Sequence, residues 1–206
     1  ILEIGPGRGA LTDLLVASKR PVILVEKDDK LALSLSQRYV GRPGLEIINT
    51  DFLEVDVAHL SPSPLVVLGN LPYNVSTQIL IQLLQGFRHA KALILMFQKE
   101  VAQRCVARPG CKDFGPLAIW CSLFSQAKII FDVPPSAFVP RPKIISSVVE
   151  FLPSGLFYDE GQQKFIDFAR QLFTHRRKKI SNNIKSLVRL GPDFDDESKK
   201  LLDRRA

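Results

Sequence analysis

Short, strongly apolar runs interleaved with helical stretches restrict the first half of this chain to a parallel sheet covered on both faces. The runs lie at residues 1–4, 22–25, 45–48, 65–68 and 92–97, and helical spacing marks residues 10–18, 31–39 and 77–84. A further helix follows Glu100, and residues 117–124 are again apolar. Two late runs, 128–133 and 145–151, are separated by a proline-rich loop and predict an antiparallel hairpin at the sheet edge. Composition shifts near Pro153, Ser154 and Gly155, which predicts a sheet domain over residues 1–153 and a small helical domain over 154–206. In the second, Phe165, Phe168, Ala169, Leu172 and Phe173 predict one buried helical stripe, and Ile180, Ile184, Leu187 and Val188 another.

With 206 residues, 46% apolar and 24% charged, the chain can bury a core, which excludes a disordered tail or a fibrous repeat. Its longest apolar runs are far too short to span a bilayer. The three cysteines, Cys105, Cys111 and Cys121, lack paired spacing, so a reducing, cytoplasmic setting is expected and a disulfide framework is not. His59, His89 and His175 share no ligand spacing with them, and no metal is expected. Because the chain opens on Ile1 inside a strand-like run, an upstream segment is expected, and the helical domain is expected to continue past Ala206.

Charge is concentrated. Residues 161–190 hold eight Lys or Arg against one acid, Asp167, which equals the whole net excess of +7. Such a patch suits a polyanion, although a solvated helix face would have the same composition.

Three motifs fall at strand ends. Gly5-Pro6-Gly7-Arg8-Gly9-Ala10 follows the first strand, with Glu26 ending the second. The pattern also fits a dinucleotide-binding loop, and glycines here let the backbone approach a ligand while Glu26 accepts hydrogen bonds from a ribose diol. A tight turn with no ligand would use the same glycines. Asp51, in Asn49-Thr50-Asp51-Phe52, can accept from an adenine amino group while Phe52 packs on the ring; as an isolated residue it would serve equally as a helix cap. Gly69-Asn70-Leu71-Pro72-Tyr73-Asn74 brings an amide, a constrained backbone and an aromatic ring to the same edge. An exocyclic adenine amine is a weak nucleophile because its lone pair is delocalised into the purine. Acceptors on both N–H groups, the Asn70 side-chain oxygen and a neighbouring carbonyl such as that of Leu71, would draw the nitrogen towards tetrahedral, with Tyr73 stacked on the base.

These motifs, with Val25-Glu26-Lys27-Asp28, Phe97-Gln98-Lys99-Glu100, Phe138-Val139-Pro140-Arg141-Pro142 and Arg176-Arg177-Lys178-Lys179, occur in family order over nearly the whole chain. The sequence resembles the S-adenosylmethionine-dependent rRNA adenine N6-dimethyltransferases, especially bacterial members acting on the small-subunit rRNA. The resemblance implies a Rossmann-like α/β methyltransferase sheet with a small C-terminal helical domain, and S-adenosyl-L-methionine as cofactor. It implies that Gly5, Gly7 and Gly9 line the methionine part, that Glu26 holds the ribose and that Asp51 and Phe52 bind the adenine, with Ile4, Lys27 and Asn70 also at the cofactor. Asn70, Leu71, Pro72 and Tyr73 would hold the target base, with Phe138 stacked opposite. Arg141, Arg176, Arg177, Lys178 and Lys179 would contact RNA. The implied partner is small-subunit rRNA within a pre-ribosomal subunit, met by a monomer. Phe114-Gly115-Pro116 departs from the Tyr-Gly often found in bacterial relatives.

Two other functions fit part of the pattern. An NAD-dependent oxidoreductase accounts for the glycines but not for the Asn70 motif or the basic segment. A non-catalytic nucleic-acid or ribosome-assembly factor accounts for the charge but has no need of Asn70, Tyr73 and Phe138 together.

Overall fold

The computed structural model describes residues 1–57, 60, 65–86, 90–156 and 158–174. The elements run β1 (Leu2–Ile4), α1 (Thr12–Ala17), β2 (Val22–Glu26), α2 (Asp29–Arg38), β3 (Leu45–Asn49), β4 (Val66–Asn70), α3 (Ser76–Gly86) and β5 (Ala92–Gln98). They continue with α4 (Lys99–Cys105), α5 (Pro116–Phe124), β6 (Ser125–Val133), β7 (Ser146–Pro153) and α6 (Glu160–Phe173).

All seven strands form one sheet in the order β3-β2-β1-β4-β5-β7-β6. The first five in this order are parallel, whereas β7 runs antiparallel to both β5 and β6. The expected hairpin therefore forms, with β7 inside the sheet and β6 at its edge. All three residues of β1 are buried, which is why the run reads as continuously apolar apart from Glu3. Glu3 accepts a hydrogen bond from Thr12 Oγ1 at 2.7 Å. Its carboxyl is held above the usual range chiefly by burial, a rise opposed by Thr12 and reinforced by Glu26.

The strand order explains where a ligand can sit. From β1 the chain builds outward through β2 and β3, then returns to the other side of β1 as β4 and β5. Connections diverge at β1 and β4, so their carboxyl ends flank the crevice where ligands of open α/β sheets bind. Ile4 is in register with Gly69, which brings Gly5 beside Asn70.

Local chemistry sets the helix starts. Asp28 caps α2 by accepting from Lys30 N and Leu31 N at 2.9 and 3.0 Å. Pro116 occupies the first turn of α5. Asp159 and Gln162 form a reciprocal capping box on α6.

On α6 the predicted stripe is buried at Ala169 and partly buried at Phe168, Leu172 and Phe173, and the structure corrects it at Phe165, whose place in the core Ile166 takes. Ile166 and Ala169 are buried, while Phe165 is 50% exposed. Two adjacent stripes of this helix are apolar, and the surface of α5 selects the one centred on Ile166. Tyr158, just before α6, stacks on Trp120 of α5 with ring centroids 5.6 Å apart. Ile166 belongs to the core cluster that also holds Leu2, Val67 and Leu95, so the described part of the C-terminal segment shares a core with the sheet. Phe114 meets Phe173 edge-on at 5.9 Å, which gives the unexplained Phe114-Gly115-Pro116 a packing role. Arg176, Arg177, Lys178 and Lys179, and the second apolar stripe from Ile180 to Val188, lie outside the described residues.

Candidate active site

The loop after β1 turns through three glycines at positive φ: Gly5 at 65°, Gly7 at 58° and Gly9 at 83°. L side chains rarely adopt this conformation. Space lies over the first two. A Cβ on Gly7 would meet nothing within 4 Å, and one on Gly5 would find only the Asn70 carbonyl oxygen, at 3.9 Å. Gly9 differs, since a Cβ there would come within 3.1 Å of Leu35 Cδ2, so its missing side chain serves packing against α2.

Glu26 closes one side of this cradle. Its Oε2 accepts from Gly7 N and its Oε1 from Asp28 N, both at 2.9 Å. Each carboxylate oxygen has a second lone pair, so both can still accept from a diol. A buried carboxylate beside open space over two glycines fits the ribose and methionine parts of S-adenosylmethionine.

At the end of β3, Asp51 caps a short 3-10 turn through Leu53 N and forms an ion pair with Lys27 Nζ at 2.6 Å. The Lys27 hydrogen bond is the main reason that the Asp51 carboxyl lies below the usual range. The cap and the ion pair are compatible with a ligand at the remaining lone pairs. Phe52 is only 4% exposed and packs in the main core, so little of its surface is left to face a ligand. Ile4 likewise directs its side chain into the core. Apolar burial outcompetes display of these side chains at the sheet edge.

Across the crevice, Asn70, Leu71, Pro72, Tyr73 and Phe138 line one cavity of about 250 Å³ together with Pro140 and Pro142. Asn70 is exposed at the tip of β4, whereas the Leu71 side chain is 2% exposed and anchors the backbone between them. Tyr73 is held by a 2.9 Å hydrogen bond between its hydroxyl and Ser146 Oγ at the start of β7. The hairpin thereby brings Phe138, 68 positions after Asn70, to the same cavity. Arg141 is exposed on this loop and does not line it. Larger cavities of about 420 and 320 Å³ lie beside Phe114 and Phe173 and beside Arg20 and Arg42. Neither combines an amide with an aromatic ring at a strand end, so size alone does not identify the site.

Ser146 and Gln82 carry supporting functions that no motif announces. Gln82 Nε2 donates to the carbonyls of Phe52, Leu53 and Val55, with the shortest contact 2.9 Å to Val55, and pins the loop that bears Asp51 to α3. Both are ordinary polar residues in apolar elements, and only the folded partners identify them. Among the described residues no group of His, Cys, Asp and Glu is arranged to hold a metal ion.

The model of the ribosomal RNA adenine dimethylase family matches residues 1–199. "Ribosomal RNA small subunit methyltransferase A" of Magnetococcus marinus is 39% identical over 192 residues, covering 91% of this chain and 69% of that protein. The protein of the same name from Prosthecochloris aestuarii is 38% identical and covers 100% of this chain and 77% of its own length. The crystal structure of a dimethyladenosine transferase from Plasmodium falciparum superposes with a TM-score of 0.77 at 29% identity, over 89% of this chain and 66% of that one. The 23S rRNA methyltransferase ErmE shares the fold, with a TM-score of 0.71 at 24% identity over 90% of this chain and 74% of its own. The motifs at the sheet edge and these likenesses over most of the sequence agree: the chain belongs to the ribosomal RNA adenine dimethylase family.

Proposed function

We propose that this protein transfers methyl groups from S-adenosylmethionine to N6 of adjacent adenines in small-subunit rRNA. The observation that carries the reading is the single cavity shared by Asn70, Leu71, Pro72, Tyr73 and Phe138, next to the Gly5 and Gly7 cradle. When bound, S-adenosylmethionine supplies a methyl group made electrophilic by its sulfonium.

The residues of the chain supply binding and alignment. Gly5 and Gly7 admit the methionine part, Glu26 accepts from the ribose, and Asp51 with the Phe52 backbone meets the adenine; Ile4 contributes backbone only. Lys27 steadies Asp51. On the acceptor side, Asn70 Oδ1 and the Leu71 carbonyl accept the two hydrogens of the adenine amine, which localises its lone pair towards the donor. Pro72 constrains that backbone, while Tyr73 and Phe138 hold the base between them. No strong base is needed before attack, because an N–H of the amine becomes acidic only as the new N–C bond forms and the nitrogen takes positive charge, and that proton is then lost to water as the C–S bond breaks and the thioether departs.

RNA is held by Arg141 and by Arg176, Arg177, Lys178 and Lys179 through phosphate contacts that position without reading sequence. The substrate is rRNA in a pre-ribosomal subunit, met in the cytoplasm by one copy of the chain. Among the described residues no helix is long and apolar enough to cross a membrane. The oxidoreductase reading leaves the Asn70 cavity without use.

The test is incubation with labelled cofactor and unmethylated small subunits, followed by mapping of the modified nucleotides. Label at N6 of neighbouring adenines is expected. RNA binding without transfer would favour the non-catalytic assembly factor. Glu26→Ala is expected to weaken cofactor binding by about 1–3 kcal/mol in calorimetry, since it removes hydrogen bonds to a charged acceptor. Unchanged affinity would remove Glu26 from the site.

A further inference from the structure

We propose that Val139 is a wedge that enters the RNA base stack at the position vacated by the target adenine. The inference rests on the proposed reading of the cavity as an adenine site and adds how the RNA is opened. Val139 is 98% exposed, more than any other large apolar residue described. Its neighbours Phe138 and Pro140 line the cavity, and it does not. Phe138 has extended backbone, φ −117° and ψ 149°. Successive side chains therefore point to opposite sides, Phe138 towards the cavity and Val139 away from it into solvent.

The mounting is firm. A 3-10 turn at Pro135–Ala137 precedes the lip, closed by Ala137 N to Pro134 O at 3.0 Å and Phe138 N to Pro135 O at 3.3 Å. On the far side, Lys99 N donates to Ile145 O at 3.0 Å, and Ser146 bonds Tyr73. The lip is thus tied directly to the Asn70 motif. Four prolines, Pro134, Pro135, Pro140 and Pro142, further restrict it.

Charge on the lip suits RNA. From Pro134 to Val149 there are two cations, Arg141 and Lys143, and no acid. Both are exposed and follow the apolar tip by two and four positions. An enzyme acting on N6 of a stacked adenine must take the base out of the stack, and the gap it leaves is lined by the faces of neighbouring bases. A compact, β-branched apolar side chain fills such a gap, as apolar wedges between base steps do elsewhere, while cations beside it meet the phosphates. Phe138 and Val139 would then act on opposite sides of one strand, one holding the displaced base and the other its former place.

The experiment compares two RNAs with the full chain: folded small-subunit rRNA and a short uridine-rich oligonucleotide with a single, unstacked adenine. In Val139→Gly, kcat/KM on the folded RNA relative to that on the oligonucleotide is expected to fall by about tenfold, the scale of a lost unstacking contribution. A second readout needs no turnover. With 2-aminopurine in place of the target adenine, the fluorescence gain on binding the protein is expected to shrink in Val139→Gly and to return in Val139→Met. An unchanged substrate ratio with unchanged fluorescence overturns the wedge while the methyltransferase reading stands. Absence of transfer to either RNA by the unaltered chain overturns that reading and the wedge with it.

Discussion

Replacing Asn70 with alanine is expected to lower kcat for methyl transfer by about 10²- to 10³-fold, the effect of removing one preorganised polar partner from a reacting centre. Cofactor affinity is expected to change little. The side chain stands at the tip of β4, exposed to the cavity it shares with Tyr73 and Phe138, and its backbone carbonyl, which lies 3.9 Å from the Cβ position of Gly5, survives the substitution. The variant loses the side-chain amide acceptor that this wall offers to the amine. The second acceptor, a backbone carbonyl beside the buried Leu71, also remains, so the base should still enter. Single-turnover kinetics with calorimetry separates the two effects. Near-normal turnover would refute the proposed hydrogen bonding of the amine, and a large loss of cofactor affinity would move Asn70 to the donor side.

Ile166→Ala is expected to destabilise the whole protein by about 2–5 kcal/mol, as truncation of a fully buried aliphatic side chain does. Ile166 is 0% exposed and packs in the same cluster as the sheet residues, so its loss opens a cavity between α6 and α5 and weakens the seat of Tyr158 on Trp120. Phe165→Ala, one position away on the half-exposed stripe, is expected to stay within about 0.5 kcal/mol. Denaturant unfolding of both variants tests this directly. If the helix were an independent appendage, Ile166→Ala would leave the main transition unmoved. Equal effects of the two substitutions would show that the stripe is not divided as described.

The second pair of positions also shows why part of the structure was hidden from the sequence. A helix of period 3.6 with apolar residues at 165, 166, 168, 169, 172 and 173 has two overlapping faces that could be buried. Local periodicity does not choose between them, and the shape of α5 does. Phe52 presents the same problem at the site: an aromatic ring after an acidic strand end suits a ligand or the core equally, and the hydrophobic contacts available behind β3 decide for the core.

What the sequence determined by itself is the frame and the chemistry that depends on chain order. Alternating apolar runs specify the parallel sheet, because strands buried on both faces need helices between them. Glycines after β1, an acid ending β2 and Asn-Leu-Pro-Tyr after β4 are read from order alone, because each follows a strand and every strand of a parallel sheet ends at the same edge. Tertiary structure alone decided the rest: that β7 inserts between β5 and β6, that Ser146 holds Tyr73, and that Val139 is left in solvent beside the cavity, while Phe138 was expected opposite Asn70 from the family resemblance and from no spacing in the chain. These are contacts between residues tens of positions apart, set by strand register and by competition for buried surface, and neither leaves a period or a spacing in the chain.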